Sequence, residues 1–147
     1  MLAPCFPPGS LEREELMTKR ILVVDDRDDL LLLMRRVLED EQYQVSILQD
    51  GRDAFAHVKM QLPDLLILDL KLGSVSGQDI LKQLKDDHVT TDIPVIIYTA
   101  AVLEADEVNR LITNNPRYYQ GVHLVQKPFD LDKLLVLVQQ VLHEPVL

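Results

Sequence analysis

The stretch ILVVDD, residues 21–26, sets four apolar side chains directly against two aspartates. An apolar run this short, with no polar alternation, fits a strand buried on both faces. Such a strand belongs in a parallel sheet, and the two carboxylates then fall at its carboxyl end. Four further runs repeat the pattern: Val45–Leu48, Leu65–Leu68, Val95–Tyr98 and Val122–Val125. Apolar stripes with helical spacing follow each of them and the first. Leu30, Leu33, Met34, Val37 and Leu38 make the first stripe, and Ala54, Phe55 and Val58 a shorter second. Ile80, Leu81 and Leu84 make the third, Val108, Leu111 and Ile112 the fourth, and Leu131, Leu134, Leu135, Val138 and Leu142 the fifth. Strand and helix thus alternate five times. That order predicts an α/β fold, a doubly wound five-stranded parallel sheet with right-handed crossovers and helices on both faces.

In a sheet of this kind, chemistry gathers at the carboxyl ends of the strands, near a topological switch point. The polar residues just past each strand are therefore the candidates. Asp25 and Asp26 follow the first strand, Asp69 the third, Thr99 the fourth, and Lys127-Pro128 the fifth. Three carboxylates in one place repel each other and call for a compensating cation. Mg²⁺, a hard ion bound through oxygen, suits one or two carboxylates plus waters and a phosphate. Lys127 adds a compact positive charge able to reach a phosphoryl oxygen, and the Thr99 hydroxyl can donate to another. A carboxylate can itself attack phosphorus and form an aspartyl phosphate. Taken singly, each feature has an ordinary structural reading: a solvated turn, a strand-end threonine, a surface Lys-Pro turn, a helix cap. Their joint placement, each at a strand end, carries the signal.

The chain has 147 residues, 47% hydrophobic and 27% charged, which suits a single globular domain. A formal net charge of −9 argues against binding nucleic acid through a basic face. The single cysteine, Cys5, excludes an intrachain disulfide and fits a reducing compartment. No apolar run is long enough to span a bilayer, and the N-terminus has no secretory-signal pattern, so a cytoplasmic protein is expected. Residues 1–18 read as a flexible arm, proline-rich over 1–10 with a short exposed helix over 11–19, and Met17 is a plausible natural start. Residues 19–147 read as the folded domain. His57, His88, His123 and His143 share no metal-ligand spacing, and neither glycine-rich nucleotide motif occurs.

Together the segments ILVVDD (21–26), LLILDLKLGSVSG (65–77), VIIYTAA (95–101) and VQKPF (125–129) resemble the receiver domain of response regulators, from about Lys19 to His143. The resemblance implies a CheY-like, flavodoxin-like (βα)5 fold and a signalling phosphoacceptor rather than an enzyme with a separate substrate. It implies Asp69 as phosphoacceptor, with Thr99 and Lys127 as the other catalytic residues. It implies Mg²⁺ as cofactor, held by Asp25, Asp26, Asp69 and the backbone carbonyl of Lys71. A histidine kinase or histidine phosphotransfer protein is the implied donor, a homodimer is a possible assembly, and neither nucleic acid nor membrane is an expected partner of this domain. The Lys127–Pro128 peptide is expected to be cis, Gly77 to supply flexibility after the acceptor, and the small Ala100 to leave room for a donor.

The chain departs from the family pattern in three places. Leu72-Gly73 stands where Met-Pro or Leu-Pro is usual, which predicts a looser loop after Asp69. Leu124 stands where the family has a Tyr or Phe that turns inward on activation, which removes ring rotation from the switch. The segment from Thr99 to Lys127 is longer by about half a dozen residues, with Asn114-Asn115-Pro116 as a turn signal and Tyr118-Tyr119 beyond it. These departures motivate an alternative reading, a phosphorylation-independent receiver-like module that binds proteins. An aspartate-nucleophile phosphatase of the haloacid-dehalogenase kind fits poorly, because Lys71 occupies the place of its second aspartate. The chain ends soon after the fifth helix, so the expectation is a stand-alone regulator or a receiver cut from a larger protein.

Overall fold

Each apolar run becomes a strand of one parallel sheet in the computed structural model, which describes residues 18–73, 75–127 and 130–143. The strands are β1 (Arg20–Val24), β2 (Gln44–Leu48), β3 (Leu65–Leu68), β4 (Val95–Thr99) and β5 (Val122–Gln126). The helices are α1 (Asp28–Asp40), α2 (Ala54–Gln61), α3 (Gly77–Lys85), α4 (Val102–Asn114) and α5 (Leu131–His143). In space the order is β2-β1-β3-β4-β5, so the chain leaves β1 to one side for β2 and returns to the other for β3. The switch point therefore lies between β1 and β3. Register places Val24 beside Leu68 and Leu68 beside Ile97, so the carboxyl ends of β1, β3 and β4 finish close to level. The arm expected over residues 1–18 falls, except for Thr18, outside the described residues.

Alternation along the strands divides the core into two layers. Leu22, Val24, Leu66, Leu68, Val95 and Ile97 face Ala54 and Val58 of α2, Ile80, Leu81 and Leu84 of α3, and Val108 of α4. Ile21, Val23, Leu65, Ile67, Ile96 and Tyr98 face Leu31, Met34 and Leu38 of α1 and Leu134 and Val138 of α5. All four side chains of β3 are buried, as a central strand covered on both faces requires. Burial of each large aliphatic side chain here contributes about 1.5–3 kcal/mol relative to leaving it in water.

One predicted stripe is corrected at a single position. Met34 and Leu38 of α1 are buried and Leu30 and Val37 half-buried, but Leu33 is 45% exposed and Leu31 enters the core instead. Leu30 to Leu33 are four consecutive leucines, so composition alone leaves the rotation of the helix open. The turn before it decides: the Arg27 N–H bonds Asp25 Oδ1 at 2.9 Å, the helix begins at Asp28, and Leu31 then meets the sheet.

The long stretch between β4 and β5 is folded against α3. α4 ends at Asn114, and residues 115–121 turn back to β5 through Gly121, whose φ of +82° suits only glycine well. Tyr119 is buried in the α2–α3–α4 layer, and the Tyr118 hydroxyl donates to Asp86 at the end of α3. Lys85, also buried, donates from Nζ to the carbonyls of Thr91 at 2.8 Å and Gln120 at 2.7 Å. Among the described residues no helix is long and apolar enough to cross a membrane.

Candidate functional site

Backbone bonding carries the sheet one residue past each strand end, and that delivers the acidic residues to one point. The Asp25 N–H donates to Leu48 O at 3.2 Å, and the Asp69 N–H donates to Val24 O at 3.1 Å. Asp25 and Asp69 are thereby set side by side across the switch point, 0% and 6% exposed. Asp26, next along the chain, is exposed, and carboxylate oxygens of Asp25, Asp26 and Asp69 all lie within 4.8 Å of one another. From the other side, the Lys127 N–H donates to Thr99 O at 2.7 Å, extending the β4–β5 register by one step. That step brings Lys127 Nζ to 3.3 Å from Asp69 Oδ2 and 3.3 Å from Asp25 Oδ2. Thr99 is buried at the end of β4, with its Oγ accepting the Ala101 N–H at 3.0 Å.

Asp69 Oδ1 is held by its own chain, accepting the Leu70 N–H at 2.7 Å and the Lys71 N–H at 3.4 Å. Burial pushes the Asp69 carboxyl above the usual carboxylate range; Lys127 opposes that, neighbouring Asp25 adds to it, and bonds from Thr99 and the Lys71 N–H oppose it further. The Asp69 and Asp25 carboxylates share one lysine, and with Asp26 the ionised site has more negative than positive charge. An all-oxygen donor set with excess negative charge fits a hard divalent cation and suits neither zinc nor copper. The residues present therefore fit Mg²⁺.

The loop after Asp69 carries a pairing that the sequence did not suggest. Lys71–Leu72 pairs antiparallel with Val75–Ser76 in a short hairpin, with Gly73 at φ +72° after Leu72. Leu72 is buried, and the exposed Lys71 side chain pairs with Glu104 of α4 at 3.4 Å. The role of Gly77 differs from the expectation. Its φ is not positive, but a Cβ built there would lie 2.2 Å from Asp69 O and 2.7 Å from Leu70 Cα. The glycine is needed for close approach of α3 to the loop after Asp69, not for flexibility. Ser76 caps α3 by accepting the Gln78 N–H at 3.2 Å.

All the sequence-predicted side chains, Asp25, Asp26, Asp69, Thr99 and Lys127, meet at this end of the sheet. Leu124 is half-buried on β5 beside Ile97. The Lys127–Pro128 peptide falls at the edge of the described residues. Sequence reasoning missed Tyr98. Fully buried on β4, it donates from its hydroxyl to Asp25 Oδ2 at 3.0 Å, and its ring lies 4.3 Å from Lys127 Nζ. Burial and the negative charge of Asp25 push the phenol far above the usual tyrosine range, so it stays protonated and remains a donor. The signal was present: a tyrosine inside a run of Val and Ile at a buried strand end must find a partner for its hydroxyl.

A family model described as the response regulator receiver domain matches residues 21–139, and the chain belongs to that family. Among curated proteins it is 35% identical over 126 residues to the phosphate regulon transcriptional regulatory protein PhoB of Rhizobium meliloti, covering 86% of this chain and 53% of that protein. It is 38% identical over 95 residues to the response regulator PleD of Caulobacter vibrioides, covering 65% of this chain and 21% of PleD. It is 35% identical over 91 residues to the polar-differentiation response regulator DivK of Brucella ovis, covering 62% of this chain and 74% of DivK. The chain thus spans about half of PhoB and a fifth of PleD. Among solved structures, a CheY-like response regulator receiver domain protein from Methanospirillum hungatei superposes with a TM-score of 0.73 at 26% identity, covering 86% of this chain and 95% of that one. The non-phosphorylated HemR receiver domain from Leptospira biflexa gives a TM-score of 0.73 at 25% identity, covering 88% and 98%.

Proposed function

We propose that this receiver domain is a phosphoacceptor, with Asp69 taking a phosphoryl group from a phosphohistidine on a histidine kinase or histidine phosphotransfer protein. The observation that carries the reading is the position of Lys127 Nζ, 3.3 Å from Asp69 Oδ2, beside buried Thr99 and the Asp25–Asp26 pair. A nucleophile, a cation and a hydroxyl converge there, and phosphoryl transfer asks for little more than such positioning and charge neutralisation.

An oxygen of the Asp69 carboxylate attacks phosphorus. The phosphorus–nitrogen bond of the phosphohistidine breaks, its electron pair leaves with the imidazole, and the ring nitrogen takes a proton from solvent. Lys127 moves from the Asp69 carboxylate to an oxygen of the new phosphoryl group, and the Thr99 hydroxyl, whose oxygen accepts the Ala101 N–H, donates its proton to another. Asp25, Asp26, Asp69 and the Lys71 carbonyl would hold Mg²⁺, which supplies the charge that offsets both the carboxylates and the phosphoryl oxygens. Because Thr99 and Lys127 end β4 and β5, their movement biases the face made by α4 and β5 between two arrangements. With Leu124 on that face, the readout proceeds by strand and helix displacement, without a turning ring. A partner protein or a second copy of the chain would read it. On this reading the receiver unit is residues 19–147, with 1–18 as its arm.

Incubation with a small phosphodonor and Mg²⁺ tests the assignment by intact mass. Wild type should gain one phosphoryl group that hydroxylamine removes, and Asp69→Asn should gain none. Equal uptake by the variant would refute Asp69 as acceptor. Beryllofluoride with Mg²⁺ should shift the amide signals of Thr99, Ala100 and residues of α4 in wild type.

A further inference from the structure

We propose that Tyr98 is a positioning residue of the acidic site, whose hydroxyl restrains Asp25 as a metal ligand and whose ring seats Lys127. The inference rests on the phosphoacceptor reading above and names a residue that reading does not use.

Tyr98 lies in the α1–α5 core layer among Ile21, Val23 and Ile96, with its side chain fully buried. Its hydroxyl reaches Asp25 Oδ2 at 3.0 Å. Asp25 is fully buried, and every oxygen of its carboxylate already has a donor: Arg27 N–H on Oδ1, Tyr98 and Lys127 on Oδ2. A donor hydroxyl draws charge from a carboxylate oxygen and competes with any cation for the lone pairs of that oxygen. The phenol therefore makes Asp25 a weaker ligand than a bare buried carboxylate would be.

The same side chain acts on Lys127. The ammonium stands 4.3 Å from the centre of the Tyr98 ring, within range for a cation–π contact, which gains strength where water is excluded. This seat fixes the lysine 3.3 Å from both carboxylates instead of letting its four-carbon stem swing to solvent. One residue thus touches both charges that flank Asp69. Its two effects have a common result: Lys127 is retained at the acceptor, and the divalent cation is held loosely enough that its residence depends on further oxygens arriving.

Two measurements on the metal-free full chain test this. Mn²⁺ binding, followed by the paramagnetic resonance signal of the free ion, should be about tenfold tighter in Tyr98→Phe than in wild type, the effect of one hydrogen bond to a charged group. Unchanged or weaker binding would overturn the role of the hydroxyl. In proton NMR of wild type, the Lys127 Hε signals should lie upfield of ordinary lysine values because of the ring current. In Tyr98→Leu they should return to ordinary values. Ordinary values already in wild type would overturn the seat, and this reading needs no variant to fold. Neither measurement depends on phosphoryl uptake, so a failure of Asp69 to be phosphorylated would be seen separately.

Discussion

Lys127 Nζ stands 3.3 Å from Asp69 Oδ2, joining the end of β5 to the end of β3 across 58 positions of chain. That lysine also stands 3.3 Å from Asp25 Oδ2, so it offsets two buried carboxylates at once. Lys127→Met should destabilise the metal-free domain by about 3–5 kcal/mol, because removing one partner leaves buried charge unpaired. Millimolar Mg²⁺ should then raise the melting temperature of the variant more than that of wild type, since ligand binding to the native state adds stability. Melting curves with and without Mg²⁺ check this. Equal shifts in both proteins would show that Lys127 and the cation do not act on the same charges.

Gly77→Ala places a methyl group against backbone, not against a side chain that can move. With Asp69 O at 2.2 Å and Leu70 Cα at 2.7 Å from the new Cβ, either α3 or the loop after Asp69 must shift. A loss of about 3 kcal/mol is expected, in line with overpacking of a rigid site. Urea denaturation measures it. Gly73→Ala, at an open position with φ +72°, should cost only about 1 kcal/mol, a difference that separates close approach from backbone strain.

Lys85 gives a pH dependence with a definite sign. Burial lowers its pKa in the folded state below the ordinary lysine value. The unfolded chain then binds more protons between the two values, so the contribution of Lys85 to stability rises as pH climbs toward the unfolded value. Lys85→Met removes this and leaves the carbonyls of Thr91 and Gln120 without their donor, a cost of about 2 kcal/mol at neutral pH. The gap between wild type and variant should widen from pH 7 toward alkaline pH. A gap that narrows would contradict the burial argument.

Leu62 ends α2 with φ +47°, a left-handed conformation in a side chain that is 44% exposed. Leu62→Gly should stabilise the domain by about 0.5–1 kcal/mol, as relief of the left-handed conformation outweighs the added freedom of the unfolded chain. Chemical denaturation midpoints report it, and a lowered midpoint would mean that the exposed leucine packs more usefully than its surroundings suggest.

The sequence by itself determined the five strands of the parallel sheet, the α/β class and the side chains at the strand ends. It could do so because a buried strand leaves a local mark, a short unbroken run of Val, Ile and Leu, and because Asp25, Asp26, Asp69, Thr99 and Lys127 stand immediately after such runs. Where the mark was ambiguous, only the tertiary structure decided. Four leucines in a row carry no phase, and the Asp25–Arg27 turn chose Leu31 over Leu33 for the core. Gly77 reads from the sequence as a flexible residue, yet its reason is a contact with Asp69 O that exists only once α3 docks. Lys85 and Gln120 are 35 positions apart and meet only because the α4–β5 connection folds back on α3. Tyr98 read as one more apolar strand residue. Its hydroxyl joins the acidic site because β1 and β4, which share no direct pairing, flank β3 and end level with it. Contacts of this kind depend on how distant segments are aligned in space, which local composition does not encode.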